Sequence, residues 1–213
     1  MVKGNKTLDQ DISITALVSI GEHPLSGRPR RAEQDARALE LGLALAGEKL
    51  RTLYAGPAQN PETTSVLRNY LGMGLGQIQI VDVPQHTDVV NTLLENFSAN
   101  QPDIILTGVK AENGESSGML PYLLAEQLNI AIVASITEIV SVDKQAGHAE
   151  VLQALPRGQR RKIKINLPFI ATVDMAATAP RQSAYGYAMR GQLAVTQPDS
   201  YQEDVEHSQW QVN

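Results

Sequence analysis

Five apolar runs, at residues 12–20, 49–55, 77–83, 104–108 and 130–136, all but the second rich in isoleucine and valine, alternate with segments of helical periodicity. This alternation restricts the fold more than any other feature of the chain. Between the first two runs Ala32, Ala36, Leu39, Leu43 and Leu50 fall at helical spacings, with Leu41 and Leu45 broadening the stripe. Val66, Leu67, Tyr70 and Leu71 mark a second helix, Val90, Leu93, Leu94 and Phe97 a third, and Leu120, Leu123, Leu124 and Leu128 a fourth. Each crossover is long enough to return the chain parallel to its previous strand. The expected fold is therefore α/β, a mainly parallel Rossmann-like sheet with helices on both faces, which binds ligands at the carboxyl ends of its strands.

After residue 136 the pattern changes to period two at 150–155 and 161–167, on either side of Pro156-Arg-Gly-Gln159, which predicts an added hairpin. A last apolar run at 168–173 is placed to close the sheet. From Ala176 onward Ala, Thr, Pro, Gln and Gly predominate, so residues 1–175 are expected to form the α/β domain and 176–213 an extended C-terminal arm.

Two strand-end loops are candidates for a ligand site. In "LTGVKAENGESSGML" (106–120) a strand ends at Gly108 and an amphipathic pattern resumes near Ser117. Ser116 or Ser117 is the natural helix cap, and Gly114 and Gly118 would let a phosphate approach backbone N–H groups. The same residues also suit a plain helix cap. Ala55-Gly-Pro-Ala-Gln59 ends the second strand at the same edge of the sheet, and neither loop is a Walker or GxGxxG motif. Lys110 is placed either to contact a phosphate or to stay solvated.

Composition excludes several chemistries. The 213 residues contain no cysteine, so disulfides and thiolate sites are absent, and the four histidines are dispersed. A net charge of −5 argues against general nucleic-acid binding, and the basic clusters at 28–31 and 157–162 read as solvated turns. No run approaches the length of a membrane span, and no cleavage pattern follows the first run, so the expectation is a cytoplasmic protein without membrane insertion. No nucleophile and base, or paired carboxylates, occur in a motif context, so bond-breaking catalysis is not expected.

"AGPAQ" followed by "ETTSVLRNYLGMG" (62–74) resembles the Gly-Pro-Ala-Gln loop and Met-Gly-terminated helix of electron-transfer flavoprotein β subunits. "LTGVKAENGESSGML" resembles that family's Gly-Lys strand end and acidic-polar loop. "EQDARALELGLAL" (33–45) resembles its first helix, with Asp35 and Glu40 in place, and "LPFIATVDMAATAPRQSAYGYAM" (167–189) its Leu-Pro strand, Pro-Arg turn and recognition loop. Where the family has Asn-Pro-Phe ahead of the first helix this chain has Ala32-Glu33-Gln34. At the first strand end it has Val18-Ser-Ile-Gly-Glu-His23, which lacks the family's lysine, and about three residues are inserted at 62–64.

The resemblance implies a heterodimer with an α subunit that holds FAD and passes electrons from a flavin-dependent dehydrogenase to a quinone oxidoreductase. The β crevice then holds AMP, or a second FAD in the bifurcating branch. By the same resemblance the adenylate contacts are Leu17, Val18 and Ser19, then Ala55, Gly56 and Pro57, then Gly108, Lys110, Glu115, Ser116, Ser117, Gly118 and Met119. Arg181, Tyr185, Tyr187 and Met189 are the implied partner-docking residues, although Arg181 could equally cap a turn. A stand-alone adenine-nucleotide sensor is the competing reading, and the apolar-dotted arm disfavours it.

Overall fold

The structure, a computed structural model, describes residues 12–85, 87–113, 116–198 and 200–203. In chain order its elements are β1 (Ile14–Leu17), β2 (Ile20–Glu22), β3 (Pro29–Arg31), α1 (Glu33–Ala46), β4 (Arg51–Gly56), α2 (Pro61–Leu71), β5 (Gln77–Asp82), β6 (Thr87–Asp88) and α3 (Val89–Ala99). They continue as β7 (Ile104–Gly108), α4 (Leu120–Leu128), β8 (Ala131–Asp143), β9 (His148–Ala154), β10 (Arg160–Asn166), β11 (Phe169–Val173), α5 (Tyr185–Arg190), β12 (Gln192–Thr196) and β13 (Gln202–Glu203).

The main sheet runs β10-β9-β8-β11-β7-β1-β4-β5-β12, parallel from β8 to β12, with β9 and β10 added antiparallel at one edge. Period-two alternation sends side chains to two cores. Ile14, Ala16, Ile104 and Leu106 face one side with Ala36, Leu39 and Leu43 of α1 and Val66, Leu67 and Tyr70 of α2. Leu17, Leu53, Ile105 and Ile170 face the other, against Leu93 and Phe97 of α3 and Leu124 of α4. This is the doubly wound α/β arrangement expected from the sequence.

Local chemistry sets the element ends. Asn60 caps α2 by accepting the Glu62 N–H at 2.8 Å, with Pro61 in the first turn, and Asp88 caps α3 through the Val90 N–H at 2.9 Å. The predicted strand at 12–20 divides in two. β1 stops at Leu17, and Ile20–Glu22 leaves the sheet to pair with Pro29–Arg31 as a small hairpin. The predicted strand at 130–136 instead continues to Asp143, with irregular register at Ile136/Glu138 and Ile139/Ser141 as it turns from β11 toward β9. Within the stretch read as an arm, β12 pairs in parallel with β5, from Gln192 opposite Gln77 to Thr196 opposite Val81.

Candidate nucleotide-binding crevice

The winding of the sheet reverses at β1. From there the chain proceeds through β4 and β5 on one side and through β7 and β11 on the other. Loops leaving β1 and β7 therefore lie side by side at the carboxyl edge, where an open α/β sheet forms a ligand crevice. Leu17 and Val18 are buried at the end of β1, Ser19 follows them, and Gly108 ends β7. Ala55 and Gly56 end β4 and Pro57 leaves it. Ala58 then donates its N–H to Asp82 Oδ1 at 2.8 Å, which holds this loop to the end of β5.

The floor of the crevice is joined by the first turn of α1. Asp35 accepts the Ser19 N–H and hydroxyl at 2.8 and 2.6 Å through one oxygen and the Gly108 N–H at 3.0 Å through the other. Burial pushes its carboxyl up from 3.8 to about 6, against the opposing pull of the Ser19 and Gly108 bonds. Gln34 Oε1 accepts the N–H groups of Val109 at 3.0 Å and Lys110 at 3.3 Å. A Cβ on Gly108 would lie 2.5 Å from Asp35 Oδ1, so glycine is required by close approach. Tyr70, buried on α2, accepts the Ala32 N–H at 2.7 Å and donates to the Ser19 carbonyl at 3.0 Å. Glu112 Oε1 accepts the Glu33 N–H at 2.7 Å, and its other oxygen lies 3.0 Å from the Arg30 guanidinium.

The other wall is the loop into α4. Two residues of positive φ, Ser116 (54°) and Gly118 (73°), cannot belong to a helical turn. The helix accordingly starts at Leu120, with Pro121 in its first turn and Met119 at the cap position. Neither serine is therefore the helix cap that the sequence suggested. Ser117 Oγ accepts the Met119 N–H at 3.3 Å, while Ser116 turns its hydroxyl back to the Ala111 carbonyl. Ser117, Met119 and the side chain of Lys110 are exposed. Glu115 lies outside the described residues.

The family profile described as "Electron transfer flavoprotein domain" matches residues 30–199. "Electron transfer flavoprotein subunit beta" of Chromohalobacter salexigens is 49% identical over 201 residues, covering 94% of this chain and 74% of the relative. The chain belongs to the electron transfer flavoprotein β-subunit family. Asp35, Gln34, Glu112 and Tyr70 are the crevice residues missing from the sequence-derived set. Asp35 carries a signal that sequence reading could have used. It stands three residues after Ala32 and four before Leu39, which puts a carboxylate on the core-facing stripe of α1.

The segment resembling the electron transfer flavoprotein recognition loop forms α5. Tyr185, Tyr187 and Met189 are 80%, 52% and 58% exposed. The element itself is fixed in place. Arg68 on α2 donates to the carbonyls of Ala188 and Gly191 at 3.0 and 2.7 Å, and the Ala184 N–H bonds the Gly72 carbonyl at 2.9 Å. Arg181 is held internally, because Glu40 accepts from its Nε and terminal nitrogen at 2.8 Å each. That fork holds the Glu40 carboxyl below its usual range and secures the incoming loop to α1. No described helix is long and apolar enough to cross a membrane.

Proposed function

We propose that this chain is the β half of a heterodimeric electron carrier without bond-breaking chemistry of its own. In this reading an α subunit supplies most of the FAD site, a flavin-dependent dehydrogenase donates electrons, and a quinone oxidoreductase accepts them. The chain acts in the cytoplasm as a scaffold, an adenylate holder and a docking surface. The observation that carries the reading is α5, which offers two tyrosines and a methionine to solvent while Arg68 and Gly72 fix its backbone. Rigid aromatic anchors lose little entropy on binding, so such an element suits a repeatedly used partner surface.

AMP fits the α4 side of the crevice. Ser117, the N–H groups that start α4 near Gly118, and Lys110 form a donor set suited to one phosphate, with Gly118 giving close backbone approach. On the α1 side, Asp35 and Gln34 already use the N–H groups of Ser19, Gly108, Val109 and Lys110, and the Glu112 carboxylate occupies the Glu33 N–H. An anion is disfavoured there, since carboxylate oxygens would face it. Leu17–Ser19 and Ala55–Pro57, at the ends of β1 and β4, would hold the base and ribose of AMP.

Co-expression with the α subunit tests the reading. The expected product is a heterodimer with flavin absorbance, and Tyr185→Ala should slow electron transfer from the dehydrogenase by about tenfold at unchanged flavin content. Wild-type transfer by the variant would remove α5 from the docking role, and failure to co-purify would remove the heterodimer.

A further inference from the structure

The hairpin formed by β9 and β10 carries charge that the adenylate crevice and α5 do not use. Arg157, Arg160, Arg161, Lys162 and Lys164 put five cations into eight positions of a chain whose net charge is −5. All five are exposed. Lys162 pairs with Glu150 at 2.7 Å, and Arg161 donates to Gln153 Oε1 at 2.7 Å. Arg157, Arg160 and Lys164 form no ion pair among the described residues, although Glu150 stands opposite Lys164 in the strand ladder. Strand alternation places Arg160, Lys162 and Lys164 on one face of β10, about 7 Å apart.

The hairpin turn is conformationally costly. Arg157 holds φ 62° next to Gly158 at 74°, although a β-carbon is disfavoured in the left-handed region.

We propose that the β9–β10 hairpin is a docking surface for an extended acidic segment of a protein partner. An extended chain repeats its side chains with the same two-residue period as the cationic row, so Asp or Glu residues four apart can face Arg160 and Lys164 together. Lysines on an edge strand also discourage edge-to-edge aggregation, and that function alone would account for β10. It does not account for the arginine at the left-handed turn position. Nucleic acid is the poorer match. Residues 148–166 contain no Phe, Tyr or Trp on which a base could stack, and the net charge of −5 repels a polyanion.

Fluorescence anisotropy with a labelled hexaglutamate peptide and the full-length chain as purified tests the proposal at low salt. Binding is expected, to weaken as salt rises, and to fall by at least about tenfold in R157E/R160E/K164E. Arg28→Glu, in the other basic cluster, should leave it unchanged, and a hexalysine peptide should not bind. Circular dichroism verifies the fold of each variant, and R160A/K164A serves if the triple reversal does not fold. Absence of hexaglutamate binding, or equal binding by the charge-altered chain, would overturn the proposal in favour of edge protection alone. Tighter binding of a single-stranded oligonucleotide at the same residues would overturn it in favour of nucleic acid.

Discussion

At the scale of single residues, Asp35 decides the shape of the crevice floor. One carboxylate joins the loops after β1 and β7 to α1, and it does so while buried. Its folded pKa of about 6 lies above the ordinary 3.8, so the native chain binds this proton more tightly than the unfolded chain. Its contribution to stability is therefore full below 3.8, declines as pH rises toward 6, and is constant above that value. The loss is on the order of 3 kcal/mol, from the separation of the two pKa values. Asp35→Asn keeps an acceptor but cannot ionise. Urea unfolding of both proteins from pH 4 to pH 7 should show the variant gaining on the wild type by that amount, and parallel profiles would contradict the assignment. The sequence placed Asp35 in the first helix by resemblance. The two backbone turns it bonds lie 16 and 73 residues away, which helical periodicity does not report.

At the scale of elements, α5 illustrates how a short helix is held by what surrounds it. Six residues are too few to be stable alone in water, so Tyr185–Arg190 depends on Arg68 and on the carbonyl of Gly72. Removing the Arg68 guanidinium deletes two charge-assisted hydrogen bonds, and Arg68→Ala should cost on the order of 2 kcal/mol in local stability. Hydrogen exchange is expected to accelerate at 185–196 while the core strands β1 and β7 stay protected; unchanged protection there would remove Arg68 from this role. The inner strands were legible because β4, β5 and β7 are apolar runs bounded by glycine, polar residues or proline. Strand β12 was not. Its Gln192–Thr196 run has ordinary composition, and its partner β5 lies more than a hundred residues earlier in the chain. The start of α4 also escaped sequence reading, since a Ser-Ser-Gly cap signal does not reveal that Ser116 and Gly118 take positive φ.

At the scale of the whole molecule, the order of strands brings the distant loops together. Reversal of winding at β1 places the β7–α4 loop beside the end of β1, and the alternation of apolar runs anticipated this parallel architecture. What the alternation could not convey was the occupation of the α1 side by Gln34, Asp35 and Glu112, because those bonds exist only once the sheet is assembled. In the proposed reading the remaining donors at Ser117, Gly118 and Lys110 hold the phosphate of an adenylate. Mass spectrometry of nucleotides released on denaturing the co-purified heterodimer tests it most directly, with Ser117→Asp beside the wild type. The Asp side chain can still accept the Met119 N–H, so the loop keeps its local bond while a second anion enters the donor set. About one AMP per β chain is expected from the wild type and almost none from the variant, which should also lose the ligand-linked part of its thermal stability. Equal AMP in both proteins, or FAD in place of AMP in the β crevice, would contradict the account.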